Sequence, residues 1–254
     1  MFAEERRIKI VDLINERRKV TVDELCGIFD VSSATIRGDL RELQVAGLVT
    51  RTHGGAIQKT KTGFELSSKQ KEVRNLREKQ SIAKAALSLI DNGDTIVLDT
   101  GTTTHELGKL LGNRRNVTVI TNDLAIAATL EEMEGIDVII MGGVLRKGFH
   151  CTIGIRGRDT YSGLTVDKAF MGVNSFSLTK GAMTPDLGQA ETKKRLIDMA
   201  NRVILLCDST KIGTVSFAQF AATDQIDAII TGEIDRDLRS AFEEKDVEVI
   251  ISGS

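Results

Sequence analysis

Apolar and polar positions in the first 57 residues fall into three short helical patterns and a hairpin. From 4 to 18, Ile10, Leu13 and Ile14 recur among charges, which predicts an amphipathic first helix. Thr21 with Glu24 three residues on has capping-box spacing, so a second helix starts there and turns Leu25, Ile28 and Phe29 to one face. Asp30-Val31-Ser32-Ser33 breaks that pattern. Ser32 or Ser33 then caps a third helix with Ile36, Leu40 and Leu43 inward. Leu48-Val49 reads as a strand leading to a basic tip, Arg51-Thr52-His53, and a flexible pair, Gly54-Gly55.

The pattern then changes. Residues 58–69 (QKTKTGFELSSK) are polar and without periodicity, and the linker is expected over 58–75. A charged, then apolar, helical pattern runs over 70–90 through Ile82, Ala83, Ala86, Leu87 and Ile90, ending at the turn Asp91-Asn92-Gly93-Asp94. Strands are predicted at 95–99, 117–121, 138–141, 166–173, 203–208, 228–231 and 247–251. Helices are predicted at 103–111, 123–133, 189–200 and 235–244. Continuous apolar runs such as VILLC belong to strands buried on both faces, so 76–254 reads as an α/β domain with a mostly parallel sheet, preceded by a small winged helix-turn-helix unit over 1–57.

Composition alters this picture in three places. Of the 254 residues, 41% are hydrophobic but only 4% aromatic, so the core is aliphatic. Residues 1–80 carry 16 Lys/Arg against 12 Asp/Glu and residues 81–254 carry 18 against 24, a basic front on an acidic body that suits a reader of nucleic acid. Cys26, Cys151 and Cys207 are widely spaced, with no C-x-x-C pair. They read as reduced thiols of a cytoplasmic protein, Cys26 and Cys207 in the core. No signal peptide and no membrane-spanning run is recognised, and neither a cofactor nor a metal is implied.

Two constellations carry chemistry. Ser33, Thr35, Arg37 and Arg41 lie outward or at the start of the third helix. Hydroxyls there reach phosphates and arginine pairs two-pronged with guanine, so that helix suits a major groove and Arg51, Thr52 and His53 suit a wing along the backbone. In the second domain several strands end in polar residues, where open α/β sheets bind ligands. Asp99-Thr100-Gly101-Thr102-Thr103 runs directly into a helix and reads as a phosphate cradle. Thr121-Asn122-Asp123, Gly142-Gly143 and the pair Asp208 and Lys211 end other strands, and Glu191 with Lys194 forms a second acid–amine pair. Together they suggest a pocket for a phosphorylated, hydroxyl-rich molecule. His105 fits capping or packing better than ligand contact.

The segments VTVDELCGIFDVSSATIRGDL and RTHGGA, with LDTGTTT, VITND, MGG, KAFMGVN and LLCDSTKIG further on, resemble the DeoR-type bacterial transcriptional repressors of sugar metabolism over nearly the whole chain. The resemblance implies operator binding by the winged helix, including Thr21 and Ser32 at the two helix starts. It also implies an effector domain related to sugar-phosphate isomerases and coenzyme A transferases, with Gly172 and Asn174 joining the site, and assembly as a homo-oligomer, dimer or tetramer. Gly38 stands where the family typically has a basic residue. Two other readings stay open. One is an activator of the same architecture. The other is a sugar-phosphate isomerase or transferase with a DNA-binding appendage, in which Glu191, Asp208 and Lys211 supply acid–base groups. A nucleotide-binding protein is disfavoured by the absence of a Gly-rich nucleotide loop.

Overall fold

Glu4 and Glu5 in the first turn and Arg17 in the last favour a helix by the macrodipole, and Ala3–Arg17 (α1) is helical in the computed structural model of the protein. The structure describes residues 2–17, 19–58, 65–154, 161 and 163–253; residues 59–64 of the expected linker lie outside them. Lys19–Thr21 (β1) leads to Val22–Phe29 (α2). There the Glu24 N–H donates to Thr21 Oγ1 at 3.2 Å and the Thr21 N–H donates to the Glu24 carboxylate at 2.7 Å, both halves of the expected capping box. Ser32 rather than Ser33 caps Ser33–Val45 (α3). Ile10, Ile14, Leu25, Ile36, Leu40 and Leu43 meet in one core, but Ile28, expected inward, is 47% exposed.

Val49–Thr52 (β2) and Gly55–Gln58 (β3) form the hairpin, and β1 adds a third strand, absent from the sequence reading, by pairing antiparallel with β3. This pairing explains Gly55. The residue is buried, and a Cβ there would collide with the Val20 carbonyl, so Gly55 is a close-approach position rather than a hinge. One buried charge locks α1 to α3: the Asp39 carboxylate, 3% exposed, accepts from Arg6 Nε at 2.7 Å and Arg7 Nε at 2.9 Å.

Two compact units result, Met1–Leu66 and Ser67–Ser254. The second begins with Ser68–Glu72 (α4), a helix where linker had been expected. The single helix read over 70–90 is two, because Asn75 at φ 50° separates α4 from Leu76–Leu87 (α5). Thr95–Leu98 (β4), Thr102–Gly108 (α6), Val117–Thr121 (β5), Leu124–Leu130 (α7) and Ile136–Ile140 (β6) follow. A short hairpin, Val144–Arg146 (β7) and Cys151–Ile153 (β8), precedes Val166–Gly172 (β9). Ser175–Ser177 (β10), Gly181–Thr184 (β11), Leu187–Asp198 (α8), Ala200–Leu206 (β12) and Ala218–Ala221 (β13) come next, then Ala228–Thr231 (β14), Arg236–Glu243 (α9) and Glu248–Ile251 (β15).

Seven strands form a wholly parallel sheet in the order β15-β14-β12-β9-β4-β5-β6. Alternate residues feed opposite faces, as a strand period of two requires. Ile96, Leu98, Ile204 and Leu206 pack with Ile82, Ala86, Leu107 and Ile126. Val97, Val203 and Leu205 pack with Ala190, Leu196 and Phe242. β10, β11 and β13 make a separate antiparallel sheet beside the second core. From β4 the chain runs to β5 and β6 on one side, then returns to β9, β12, β14 and β15 on the other. The topological switch point therefore lies between β4 and β9, and an open parallel sheet has its ligand crevice there. All three thiols are free; Cys151 and Cys207 are buried, whereas Cys26 is only half-buried. No helix among the described residues is long and apolar enough to cross a membrane.

Replacing Asp39 by Ala leaves the Arg6 guanidinium buried and unpaired and is expected to destabilise the N-terminal unit by about 3–5 kcal/mol. Arg7→Ala, whose partner keeps Arg6 and whose side chain is 35% exposed, should cost under about 1 kcal/mol. Urea unfolding of the two variants checks the order; equal losses would contradict it.

Candidate functional site: a groove-facing helix and a polar sheet edge

In the N-terminal unit, Ser33, Arg37 and Arg41 recur every four residues along α3, all exposed, on the side away from Ile36, Leu40 and Leu43. The Ser32 hydroxyl is occupied: it accepts from the Thr35 N–H at 3.3 Å and lies 3.0 Å from Thr35 Oγ1. Thr21 is likewise engaged in its capping box. Arg51, Thr52 and His53 are exposed at the hairpin. Gly38 has no positive φ, and nothing lies within 4 Å of a Cβ built on it, so no packing within the chain requires glycine there.

In the second unit the C-terminal ends of the parallel strands carry two polar clusters. The first sits at the switch point. Asp99, fully buried, follows β4. Its Oδ2 accepts from the Gly172 N–H at 2.9 Å and contacts the Lys193 ammonium, which also donates to the Gly172 carbonyl at 2.8 Å. Burial pushes the Asp99 carboxyl up, against the Lys193 charge and the Gly172 N–H that favour ionisation. Gly172 must be glycine, because a Cβ would lie 2.9 Å from the Thr100 carbonyl. Beside it the Thr100 hydroxyl donates to Asp123 Oδ2 at 2.7 Å, and Asp123 Oδ1 caps α7 at the Ala125 and Ile126 N–H groups. Asn122 Nδ2 donates to the Thr152 carbonyl at 2.9 Å, joining β5 to the β7–β8 hairpin. The Cys151 thiol, raised by burial to about 11, stays protonated.

The second cluster follows β12. Asp208 is 2% exposed. It pairs with Lys211 at 2.9 Å and accepts from Thr210 Oγ1 at 2.5 Å and from Asn75 Nδ2 at 3.1 Å. Burial alone would raise its pKa, but the Lys211 charge and those hydrogen bonds hold the carboxyl well below the usual range. Glu78 accepts from the Ser209 N–H at 2.8 Å. Lys79, 3% exposed, donates to the Lys71 carbonyl, and burial plus the charges of Lys211, Lys71 and Arg74 lower it to about 8. Lys79 thus lies beside the Asp208–Lys211 pair, with Lys71 and Arg74 adding to the positive charge it feels. In the switch-point cluster Lys193 is set against Asp99, and Asp123 adds a second carboxylate.

This redistributes the residues expected from the sequence. Asp99, Thr100, Gly101, Gly172, Thr121, Asn122 and Asp123 do share one edge. As an anion cradle, though, the Asp99–Thr103 loop is poor: it starts at a carboxylate, α6 has only seven residues, and Thr103 is buried. Thr102 is half-buried. Gly143 is needed where a Cβ would meet the Ile153 carbonyl at 2.5 Å, and the exposed Gly142 donates its N–H to the Tyr161 hydroxyl at 3.2 Å. Asn174 sits past β9, its N–H on the Met183 carbonyl at 3.3 Å. His105 Nε2 lies 2.9 Å from Thr129 Oγ1, and burial lowers its pKa.

Glu191 and Lys194 are corrected outright. Both are exposed on α8 with no ion pair between them, and the helix turns Lys193 inward instead. Asp208 and Lys211 pair with each other, and no ion pair is formed by Glu191 among the described residues. Sequence reasoning missed Lys193, Lys79, Asn75 and Glu78. For Lys193 a signal existed, since Ala190, Leu196 and Ile197 lie three or four residues away and fix the buried phase of the helix.

A three-helix winged unit joined to a parallel α/β domain with a charged ligand crevice defines a DNA-binding transcriptional regulator with a sensor domain. Residues 6–62 match the model of the DeoR-like helix-turn-helix domain and residues 74–233 that of the DeoR C-terminal sensor domain; the chain belongs to the DeoR family. It is 35% identical over 98% of its length, and 98% of the relative's, to the HTH-type transcriptional regulator GlpR of Haloferax volcanii. Against the regulator GolR of Listeria innocua it is 34% identical, covering 99% and 100%. Against the HTH-type transcriptional repressor GlcR of Bacillus subtilis it is 34% identical, covering 92% and 90%. Among solved structures, a ribose 5-phosphate isomerase A from Methanocaldococcus jannaschii aligns over 54% of this chain and 55% of its own at 24% identity and a TM-score of 0.41.

Lys79 offers a test of the second cluster. Its folded pKa lies below the unfolded value of 10.5, so the charged form strains the native state. The penalty is complete below pH 8 and fades as pH rises from 8 to 10.5. Lys79→Met should therefore stabilise the fold at pH 7 by on the order of 2–3 kcal/mol, with the gain shrinking toward pH 10. Thermal unfolding at several pH values reads this directly, and a gain independent of pH would contradict it.

Proposed function

We propose that the chain is a repressor of a carbohydrate uptake or catabolism operon, that it binds operator DNA as a homo-oligomer, and that a phosphorylated sugar in the sensor domain weakens that grip. The observation that carries the effector reading is the cationic cluster after β12. Lys79 is buried beside the Asp208–Lys211 ion pair, and burial disfavours its charge. A phosphate dianion there would favour the charged form of Lys79. The hydroxyl-rich remainder suits the hydrogen-bonding switch-point cluster of Asp99, Thr100, Gly101, Asn122 and Gly172. GlcR, a relative named as a repressor, supports the direction of regulation.

On the DNA side, Arg37 reads base edges from the first turns of α3, Ser33 and Arg41 meet flanking phosphates, and Arg51, Thr52 and His53 follow the backbone as a wing. Thr21 and Ser32 act through their caps, which hold the N–H groups of α2 and α3 in place. Regulation is linkage: an effector that binds the DNA-incompetent state more tightly shifts the population away from the operator.

Titrating labelled DNA from the protein's own promoter at fixed salt, then adding sugar phosphates, tests both halves. Tight, salt-sensitive binding relieved by one of them is expected. Arg37→Ala should cost about 1–3 kcal/mol, concentrated at particular base pairs, whereas Arg51→Ala should weaken all sequences alike and reduce the salt slope by about one phosphate contact. Binding that ignores every sugar phosphate would refute the effector half.

Proton linkage gives an independent check. Because Lys79 titrates near 8 and a bound phosphate favours its charged form, effector affinity should fall as pH rises through about 8, with net proton uptake on binding. Calorimetry in buffers of different ionisation enthalpy measures that uptake; none at pH 8.5 would exclude Lys79 from the site.

A further inference from the structure

The parallel sheet has two edges, and they are protected differently. On β15, Glu248 pairs with Arg202, Val249 is buried, and Ile250 and Ile251 are half-buried. β6 has no such cover. Among the described residues no strand pairs with its outer side. The Met141 N–H donates to the Thr121 carbonyl, so by strand alternation the N–H and C=O groups of Val138 and Ile140 point away from β5. β6 pairs with β5 in unbroken register and holds no lysine, proline or bulge, the devices that keep an exposed edge from recruiting another strand. Its one charge, Asp137, stands near its start. Ile139 and Ile140, on opposite faces, are 40% and 50% exposed, and in the hairpin that follows Val144 and Leu145 are 55% and 51% exposed.

Charge along this segment is polarised. Glu131, Glu132, Glu134 and Asp137, all exposed, precede the apolar stretch. Arg115, beside Gly135, offsets one of them. Lys147, also exposed, follows the stretch, next to an Arg146 already held by Asp186. A second copy laid alongside in parallel sets acid against acid. Laid antiparallel, it sets the acidic start of each β6 toward the basic exit of the other, and one patch serves both chains, as an isologous interface requires. The free edge amides then pair as an antiparallel ladder. A stable interface covers about 800 Å² on each partner. β6 is only about 17 Å long, so the hairpin face with Val144 and Leu145 has to join the strand in the contact. Resting on the homo-oligomer reading above, we propose that β6 and the β7–β8 hairpin are the surface on which a second copy of this chain docks, antiparallel about a two-fold axis, with one sheet continuous across the pair. Two copies of α3 related by such an axis suit an operator of two half-sites.

Sedimentation of the full chain over a range of concentrations tests this. The native protein should associate. Ile140→Lys places a charge on the edge and should raise the dissociation constant of that step at least about tenfold. Phe217→Lys, at an apolar side chain just as exposed but outside this segment, should leave it unchanged. Glu134→Lys and Lys147→Glu should each weaken association, and the two together should restore part of the loss, which a purely structural role of either residue does not produce. If Ile140→Lys does not fold, the charge exchange decides alone. Association untouched by Ile140→Lys and by both charge reversals would overturn this surface and leave the homo-oligomer standing. Equal weakening by Phe217→Lys would overturn it as well. A native chain that is monomeric at every concentration would overturn the surface and the homo-oligomer together.

Discussion

A carboxylate with no solvent exposure, Asp99, is neutralised by one ammonium, Lys193, and much of the sensor unit is arranged around that pair. Isolated, either charge would be strongly disfavoured in the interior; paired, each is tolerable only while the geometry holds. The pair ties three elements together. Asp99 ends β4, the Gly172 N–H and carbonyl that complete the cluster end β9, and Lys193 comes from the inward face of α8. β4 and β9 are the two strands between which the sheet reverses its direction of growth. The bond therefore spans the seam where a parallel sheet is open, and Gly172 is the only residue type that lets the Thr100 carbonyl and the carboxylate approach so closely.

The second cluster obeys opposite rules. Asp208 is over-supplied with donors, from Lys211, Thr210 and Asn75, and stays ionised far into the acid range. Lys79 nearby is under-supplied and loses affinity for its proton. Burial of the Lys79 charge therefore weakens the native state. Asn75 joins this cluster because the chain breaks between α4 and α5. An uninterrupted helix would carry that side chain along a helical face instead of presenting it to Asp208.

In the N-terminal unit the equivalent fastening is Arg6 and Arg7 on Asp39, which joins α1 to α3. Ser33, Arg37 and Arg41 stay exposed because the charge that positions α3 lies on its opposite side. Gly38 lowers the helix propensity of α3 by about 1 kcal/mol relative to alanine with no compensating contact inside the chain.

Periodicity made most of the architecture legible. The three helices and hairpin, the parallel strands and the strand ends that carry Asp99, Asn122 and Asp208 all follow from local rules, because capping, turn chemistry and a period of 2 or 3.6 act over a few residues. What escaped depends on distant partners. β1 is too short to show a pattern and exists by pairing with β3. Gly55 looks like a flexible residue until the Val20 carbonyl is brought against it. Glu191 and Lys194 make a plausible pair by spacing, yet it is the neighbouring Lys193 that turns inward, toward a carboxylate 94 positions earlier. Which polar groups become charged partners was decided only when the sheet order set β9 beside β4 and β12 beside β9. Burial and Coulomb energies depend on distances through space, and a sequence records only distances along the chain.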